Sequence, residues 1–331
     1  PIAEEVAQKI AEKLKDFTDP VALKYIAEAI DGGKFGNPIA EEVAQKIAEK
    51  LEDFTDPVAQ KRISYAIQDG KFGNPVSEKI AQKIAEELKV FTNTIAQSFF
   101  AYAIKNGIFG NPVSEKIAQK IAEELNFFEN SKAQEIVTVA INCGTFGNPI
   151  PEKVTQKIVE NLEVFTNPNA QRFIAYIINN GIFGYPIAEE VAQKISEKLT
   201  FFEDSEAQKI VAIAIGCGIF GNPIPEEVAQ NIVENLGLFT HPEAQSIVAL
   251  GIKNGKFGSP MSVEVAKKIA ENLDVFTDQQ AKLVIIRSVF EGKFGDPVPD
   301  FLLDAIFSNV DQFLDILKKL DTLKDDLLDF I

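Results

Sequence analysis

The side chains able to do chemistry in this chain come in rows. Gln60, Gln97, Gln134, Gln171, Gln208 and Gln245 stand one every 37 residues. A glutamine amide both donates and accepts, so six of them stacked at one period form a ladder able to hydrogen-bond the backbone of an extended peptide. Each is followed by Lys61, Ser98, Glu135, Arg172, Lys209 or Ser246, a position that varies in charge on a fixed frame, as selective recognition requires. These twelve residues are the candidate peptide contacts. The same amides also have uses inside the protein. Ser131-Lys132-Ala133-Gln134 and Ser205-Glu206-Ala207-Gln208 have the spacing of a capping box, in which glutamine reaches back to the start of its own helix, and bonding between repeats is the other internal use. Leu23 and Lys282 interrupt the row at its ends.

Little else points to a reaction. His241 is the only histidine, and it stands where Asp19 or Asn167 would cap a helix in other repeats. No nucleophile, base and orienting group assemble around it. Cys143 and Cys217 lie two repeats apart, on the order of 20 Å in a stack of helix pairs, too far for a disulfide. Neither has a nearby histidine in sequence, and metal-ligand spacing is absent. Acidic pairs such as Glu4-Glu5 and Asp325-Asp326 read as surface charge, because a general acid needs a desolvated carboxyl. The glycines are isolated and form no phosphate-cradling loop. A non-catalytic protein without cofactor or metal is expected.

The frame behind these rows is the punctuation Gly33-Lys34-Phe35-Gly36-Asn37-Pro38, which returns around Phe72, Phe109, Phe146, Phe183, Phe220, Phe257 and Phe294. A fixed period of this size without insertion marks a stacked array. The first glycine suits a left-handed helix terminator, and Asn37-Pro38 reads as an N-cap followed by the first helical residue. Tyr185 takes that cap position before Pro186. The phenylalanine between them reads as a hydrophobic plug. Eight repeats result: 1–37, 38–74, 75–111, 112–148, 149–185, 186–222, 223–259 and 260–296.

Each repeat reads as two helices. The first buries Ile39, Ala40, Val43, Ala44, Ile47, Ala48 and Leu51 and turns Glu41, Glu42, Gln45, Lys46 and Glu49 outward. The row Gln45, Gln82, Gln119, Gln156, Gln193 and Gln230 belongs to this solvated face. A Phe-Thr-Asp-Pro turn follows, with Asp56 capping and Pro57 opening the second helix. Second helices such as Ala207–Ile215 are apolar nearly all round, which places them in an inner, concave layer. A narrow stripe through Lys61, Ser64 and Gln68 is expected to be open there. Its small middle position (Ala27, Ser64, Ala101, Thr138, Ala175, Ala212, Ala249) would let a ligand approach. Tyr65, Tyr102 and Tyr176 lie one turn away, where packing between repeats or anchoring of a partner would each use a tyrosine.

Residues 297–331 leave the repeat. Phe301, Leu302, Ala305 and Ile306 make a short helix, and a longer one from about 309 carries Val310, Phe313, Leu317, Leu320, Leu327 and Ile331. The two would cap the last repeat. The architecture resembles tetratricopeptide- and HEAT-like arrays as a class, over 1–296. The unit is longer than the tetratricopeptide one and lacks its Trp signature, so that family's peptide-carboxylate clamp is not implied. The resemblance and the period together predict an all-α, right-handed α-solenoid with a C-terminal helical cap.

A net charge of −16 over 331 residues, without a basic stripe, disfavours nucleic acid. It favours a basic protein or peptide partner. No apolar run reaches the roughly 18 residues of a membrane span, and no signal peptide is expected. A cytoplasmic location fits the unpaired cysteines, as does secretion without disulfides. The function expected is a scaffold binding a peptide or protein segment along the second helices. The alternative is a self-assembling repeat protein joined through its first repeat, with Ile2, Val6, Ile10 and Leu14 uncovered, and its hydrophobic tail.

Overall fold

The computed structural model of the chain describes residues 1–308, the last four as backbone only. Among the described residues there are seventeen α-helices and no strand. They fall into two compact units that divide at Ile177 and Ile178. No helix among the described residues is long and apolar enough to cross a membrane.

In the first unit the first helices Glu4–Glu12, Glu41–Ala48, Glu78–Glu86, Glu115–Glu123 and Glu152–Glu160 pack in succession. The second helices Pro20–Asp31, Pro57–Gln68, Thr94–Lys105 and Ser131–Asn142 form a parallel row beside them. The other unit repeats the arrangement with first helices Glu189–Glu197, Glu226–Glu234, Val263–Glu271 and Asp300–Ser308. Its second helices are Ser205–Cys217, Pro242–Lys253 and Gln279–Phe290. This is the solenoid-like pattern expected from the period. Asp300–Ser308 packs on Val263–Glu271 as the earlier first helices of its unit pack on one another. It follows Asp296-Pro297-Val298-Pro299, so the repeat runs on into a ninth first helix. The longer helix expected from about 309 lies outside the described residues.

The corner between repeats works as a set of backbone bonds. In the second repeat the Gly70 N–H donates to the Ile67 carbonyl at 3.0 Å and the Lys71 N–H to the Ala66 carbonyl at 2.9 Å. That pair closes the helix end around a glycine at φ 73°, a Schellman stop. The Lys71 carbonyl then accepts from the Ile39 N–H of the preceding corner at 2.8 Å. Val76 to Ile108 and Val113 to Thr145 make the same rung at 2.8 Å. In the other unit Ile187 to Ile219, at 2.9 Å, and Ile224 to Lys256, at 2.7 Å, do so. The second glycine of the corner has its own reason. At Gly36, with φ 124°, a Cβ would stand 2.8 Å from the Pro38 carbonyl oxygen.

The phenylalanine plugs are buried in every repeat, from Phe35 to Phe294. A second series, Phe54, Phe91, Phe128, Phe165, Phe202, Phe239 and Phe276, is buried where the first helix turns into the second. Each such ring contributes on the order of 2–3 kcal/mol relative to exposure, so these two rows are the spine of the core.

The expected cap at Asn37 is not there. The Asn37-Pro38 peptide is cis, the chain turns, and the first helix starts three residues later at Glu41 with Ala40 at its N-cap and no side-chain bond. Glu41 and Glu42 stand in its first turn, where their charge suits the positive end of the helix. Tyr185 therefore occupies no cap position; it is an exposed turn residue. The second-helix caps are as expected: Asp56 Oδ1 accepts from the Val58 and Ala59 N–H at 2.9 and 3.0 Å.

Candidate functional site

The glutamine row lies inside the protein. Gln60, Gln97, Gln134, Gln171, Gln208 and Gln245 are 2–6% exposed. Gln60 Nε2 donates to the Val90 carbonyl at 2.8 Å while its Oε1 accepts from the Asn93 N–H at 3.1 Å. Gln134 grips Val164 and Asn167 in the same way, at 2.7 and 3.1 Å. Gln245 holds Val275 at 2.9 Å and the Asp278 N–H at 3.0 Å. One amide thus clasps both sides of the next repeat's turn. The row is neither a ladder open to a peptide nor a set of capping boxes, because the amides are buried and these bonds run to the next repeat rather than to the start of their own helix. Gln208 departs from the pattern: its Nε2 donates to the Phe202 carbonyl of its own turn at 2.9 Å, and its Oε1 is buried without a partner.

The residues beside the glutamines divide. Lys61 and Arg172 are exposed, and Ser98, Glu135, Lys209 and Ser246 are half-buried. Three of them reach the start of the next second helix: Ser98 Oγ to Asn130 Oδ1 at 3.3 Å, Ser246 Oγ to Asp278 Oδ2 at 2.8 Å, and Lys209 Nζ to Glu243 at 2.7 Å. Glu135 pairs with Lys132 on its own helix at 3.3 Å. The expected open stripe is closed at its middle position. Ser64, Ala101, Thr138, Ala175, Ala212 and Ala249 have no exposure at all. Second helices lie side by side there, and a small residue is what lets them meet.

What the second helices do present is aromatic. Tyr25 is 63% exposed, Tyr65 41% and Tyr176 40%, with Phe99, Tyr102 and Phe173 half-buried among them. Tyr65 and Phe99 of adjacent repeats stand edge to face at 5.2 Å. The equivalent positions of the other unit carry no aromatic ring: Ile213 and Ile247 are half-buried, and Leu250 and Arg287 are exposed. The signal for this row was in the sequence, since four of the five tyrosines fall on second helices.

The first-helix face satisfies itself. Gln82 donates to Glu86 at 2.7 Å and Gln119 to Glu123 at 3.0 Å, four residues on along the same helix. Lys83, Lys120 and Lys157 pair with Glu86, Glu123 and Glu160 at 2.7–2.9 Å. The lysine bond, helped by the glutamine, holds the Glu86 and Glu123 carboxyls below their ordinary range. Lys46 and Lys268 bridge to Glu12 and Glu234 of the preceding repeats. One group is badly placed: Asp53 stands where later repeats carry Val90, Phe127 or Val164. Its Oδ2 is buried without a partner, and burial lifts its carboxyl despite nearby Lys50.

His241 caps a helix, its Nδ1 accepting from the Glu243 N–H at 3.2 Å. Cys143 and Cys217 are exposed free thiols. Among the described residues no three His, Cys, Asp or Glu side chains gather as metal ligands would. No family model matches the chain, no curated protein matches it, and no solved structure matches it.

Proposed function

We propose that the chain is a non-catalytic scaffold that binds a peptide or protein segment along the face of its second helices. The observation that supports this is the row Tyr25, Tyr65, Phe99, Tyr102, Phe173 and Tyr176, exposed or half-buried on the second helices of the first, second, third and fifth repeats, with Ile136 and Val139 at these positions in the fourth. Tyrosine gives a rigid contact with an apolar ring and a polar tip, and it is enriched where partners anchor. The peptide contacts assigned to the glutamines pass to this row, flanked by the exposed cations Lys61 and Arg172. Panning a random peptide library on the full chain tests the reading. Enriched peptides should lose binding when Tyr65, Tyr102 and Tyr176 are changed together to Ser, and keep it when Gln82 and Gln119 on the first-helix face are changed to Ala. The opposite pattern sinks it.

A second reading is association of copies through the first repeat. Val6 is 48% exposed and Phe17 36%, whereas their equivalents Val43 and Phe54 are 1% exposed beneath the repeat that covers them. Sedimentation over a wide concentration range tests it. A mass that stays that of one chain rules it out.

A further inference from the structure

At the junction of the third and fourth repeats the clasp is incomplete. Gln97 Oε1 accepts from the Asn130 N–H at 3.0 Å, as its counterparts do. No bond joins its Nε2 to the Phe127 carbonyl, the group that Gln60, Gln134 and Gln245 reach at the matching position. The side chain is only 3% exposed, and it lines a recess of about 280 Å³. The cause is local. Phe127 replaces the valine of neighbouring turns and folds inward against Phe128, with ring centroids 4.8 Å apart, and toward Phe100, at 6.0 Å.

The rest of the wall has a definite chemistry. Phe127, 7% exposed, supplies the apolar part of the lining above the fully buried Phe91, and Glu124 and Glu129 line it together with the single cation Lys89. Among the described residues neither carboxylate has an ion pair or a hydrogen bond, although Glu123 next door is bonded to Lys120. A leftover amide donor, an aromatic ring and two unpaired carboxylates suit one kind of occupant. We propose that this recess is a subsite for an arginine or lysine side chain of a peptide. The alkyl stem lies on Phe127, the cationic head meets Glu124 and Glu129, and a carbonyl of the peptide accepts from Gln97 Nε2. No residue of the exposed aromatic row lines the recess. The subsite rests on the peptide-binding reading only for the occupant being a peptide.

Nα-acetyl-arginine N-methylamide tests it, because so small a probe does not need the aromatic row. Titrated into the ¹⁵N-labelled full chain, it should shift the Gln97 side-chain amide and the backbone of 89–92 and 126–129. The norleucine analogue should bind at least about tenfold more weakly, a difference of roughly 1.4 kcal/mol, and the aspartate analogue should not bind. Changing Glu124 and Glu129 together to Lys should abolish the arginine shifts with the rest of the spectrum intact. Glu87→Lys, the Glu124 position one repeat earlier, should leave them. In the unaltered chain 0.5 M salt should weaken arginine far more than norleucine. Equal binding of norleucine, an unmoved Gln97 amide, or salt-insensitive arginine binding would each overturn the proposal. Should peptides fail on the aromatic row while the probe binds here, only the row's role is lost.

Discussion

The two long faces of the repeats use the same alphabet to opposite ends. On the first-helix face glutamine, glutamate and lysine answer one another within a turn of helix, as in Gln119, Lys120 and Glu123. What is left over there is exposed charge, such as Glu41, Glu42, Glu115 and Lys116, with no ring among it. On the second-helix face the glutamine amides are drawn into the joints between repeats, and a strip of rings remains outside beside the exposed cations Lys61 and Arg172. A surface that satisfies its own polar groups keeps a protein apart from its neighbours. A surface that exposes rings over a rigid frame is fit for contact. On that contrast the second helices are the better suited to recognition.

The two glutamine rows give the widest separation. Gln134→Ala should cost about 2 kcal/mol, since it leaves a part-buried N–H and a part-buried carbonyl of the next turn without their partner. Denaturant unfolding should show the loss, and hydrogen exchange should speed up around Asn167 first. Gln119→Ala, in a row of identical period, should cost less than about 0.5 kcal/mol. Similar costs for the two would erase the contrast between joint and surface.

Smaller effects sharpen it. Asp53→Val should raise stability by about 1 kcal/mol at neutral pH by putting an apolar group where the other turns have one. The folded-state carboxyl of Asp53 is raised, so the charged form opposes folding at neutral pH, and that cost disappears as pH falls through the raised value. The advantage of the valine variant should therefore narrow in acid. His241→Asp should add a few tenths of a kcal/mol up to about 1 by restoring a carboxylate at a helix start, read as a higher melting temperature. Smallest is Lys120→Ala, at about 0.3 kcal/mol. The Glu123 carboxyl it supports is lowered in the folded state. The contribution is thus present above the ordinary carboxylate range and fades as pH drops through the folded value.

The array, the plugs and the second-helix starts could be read from the sequence because each depends on neighbours in the chain. A glycine at a left-handed stop, an Asp-Pro at a helix start and a phenylalanine every 37 residues carry their meaning locally. The misreadings share a different property. Asn37-Pro38 presents the same pair of letters in a turn as at a helix cap, and only the next three residues' path separates the two. Gln60 and Gln45 are one residue type at one period, yet the first is buried and the second is not. The partners of Gln60 lie 30 and 33 residues away, beyond any helical periodicity. Tyr65 was visible as a possible anchor, but its exposure depends on what the adjacent helices leave uncovered.

The joint from Ile39 N–H to the Lys71 carbonyl uses main chain alone. Residues 34, 71, 108 and 145 are Lys, Lys, Ile and Thr, and the bond is made regardless. Mutational drift at these sites therefore leaves the coupling of one unit to the next untouched. Gene slippage that copies or deletes a whole unit presents the same donor to the same acceptor, whereas loss of a fraction of one misaligns every later joint. Length in this molecule is a quantity evolution can change in steps, with each step already compatible with the last.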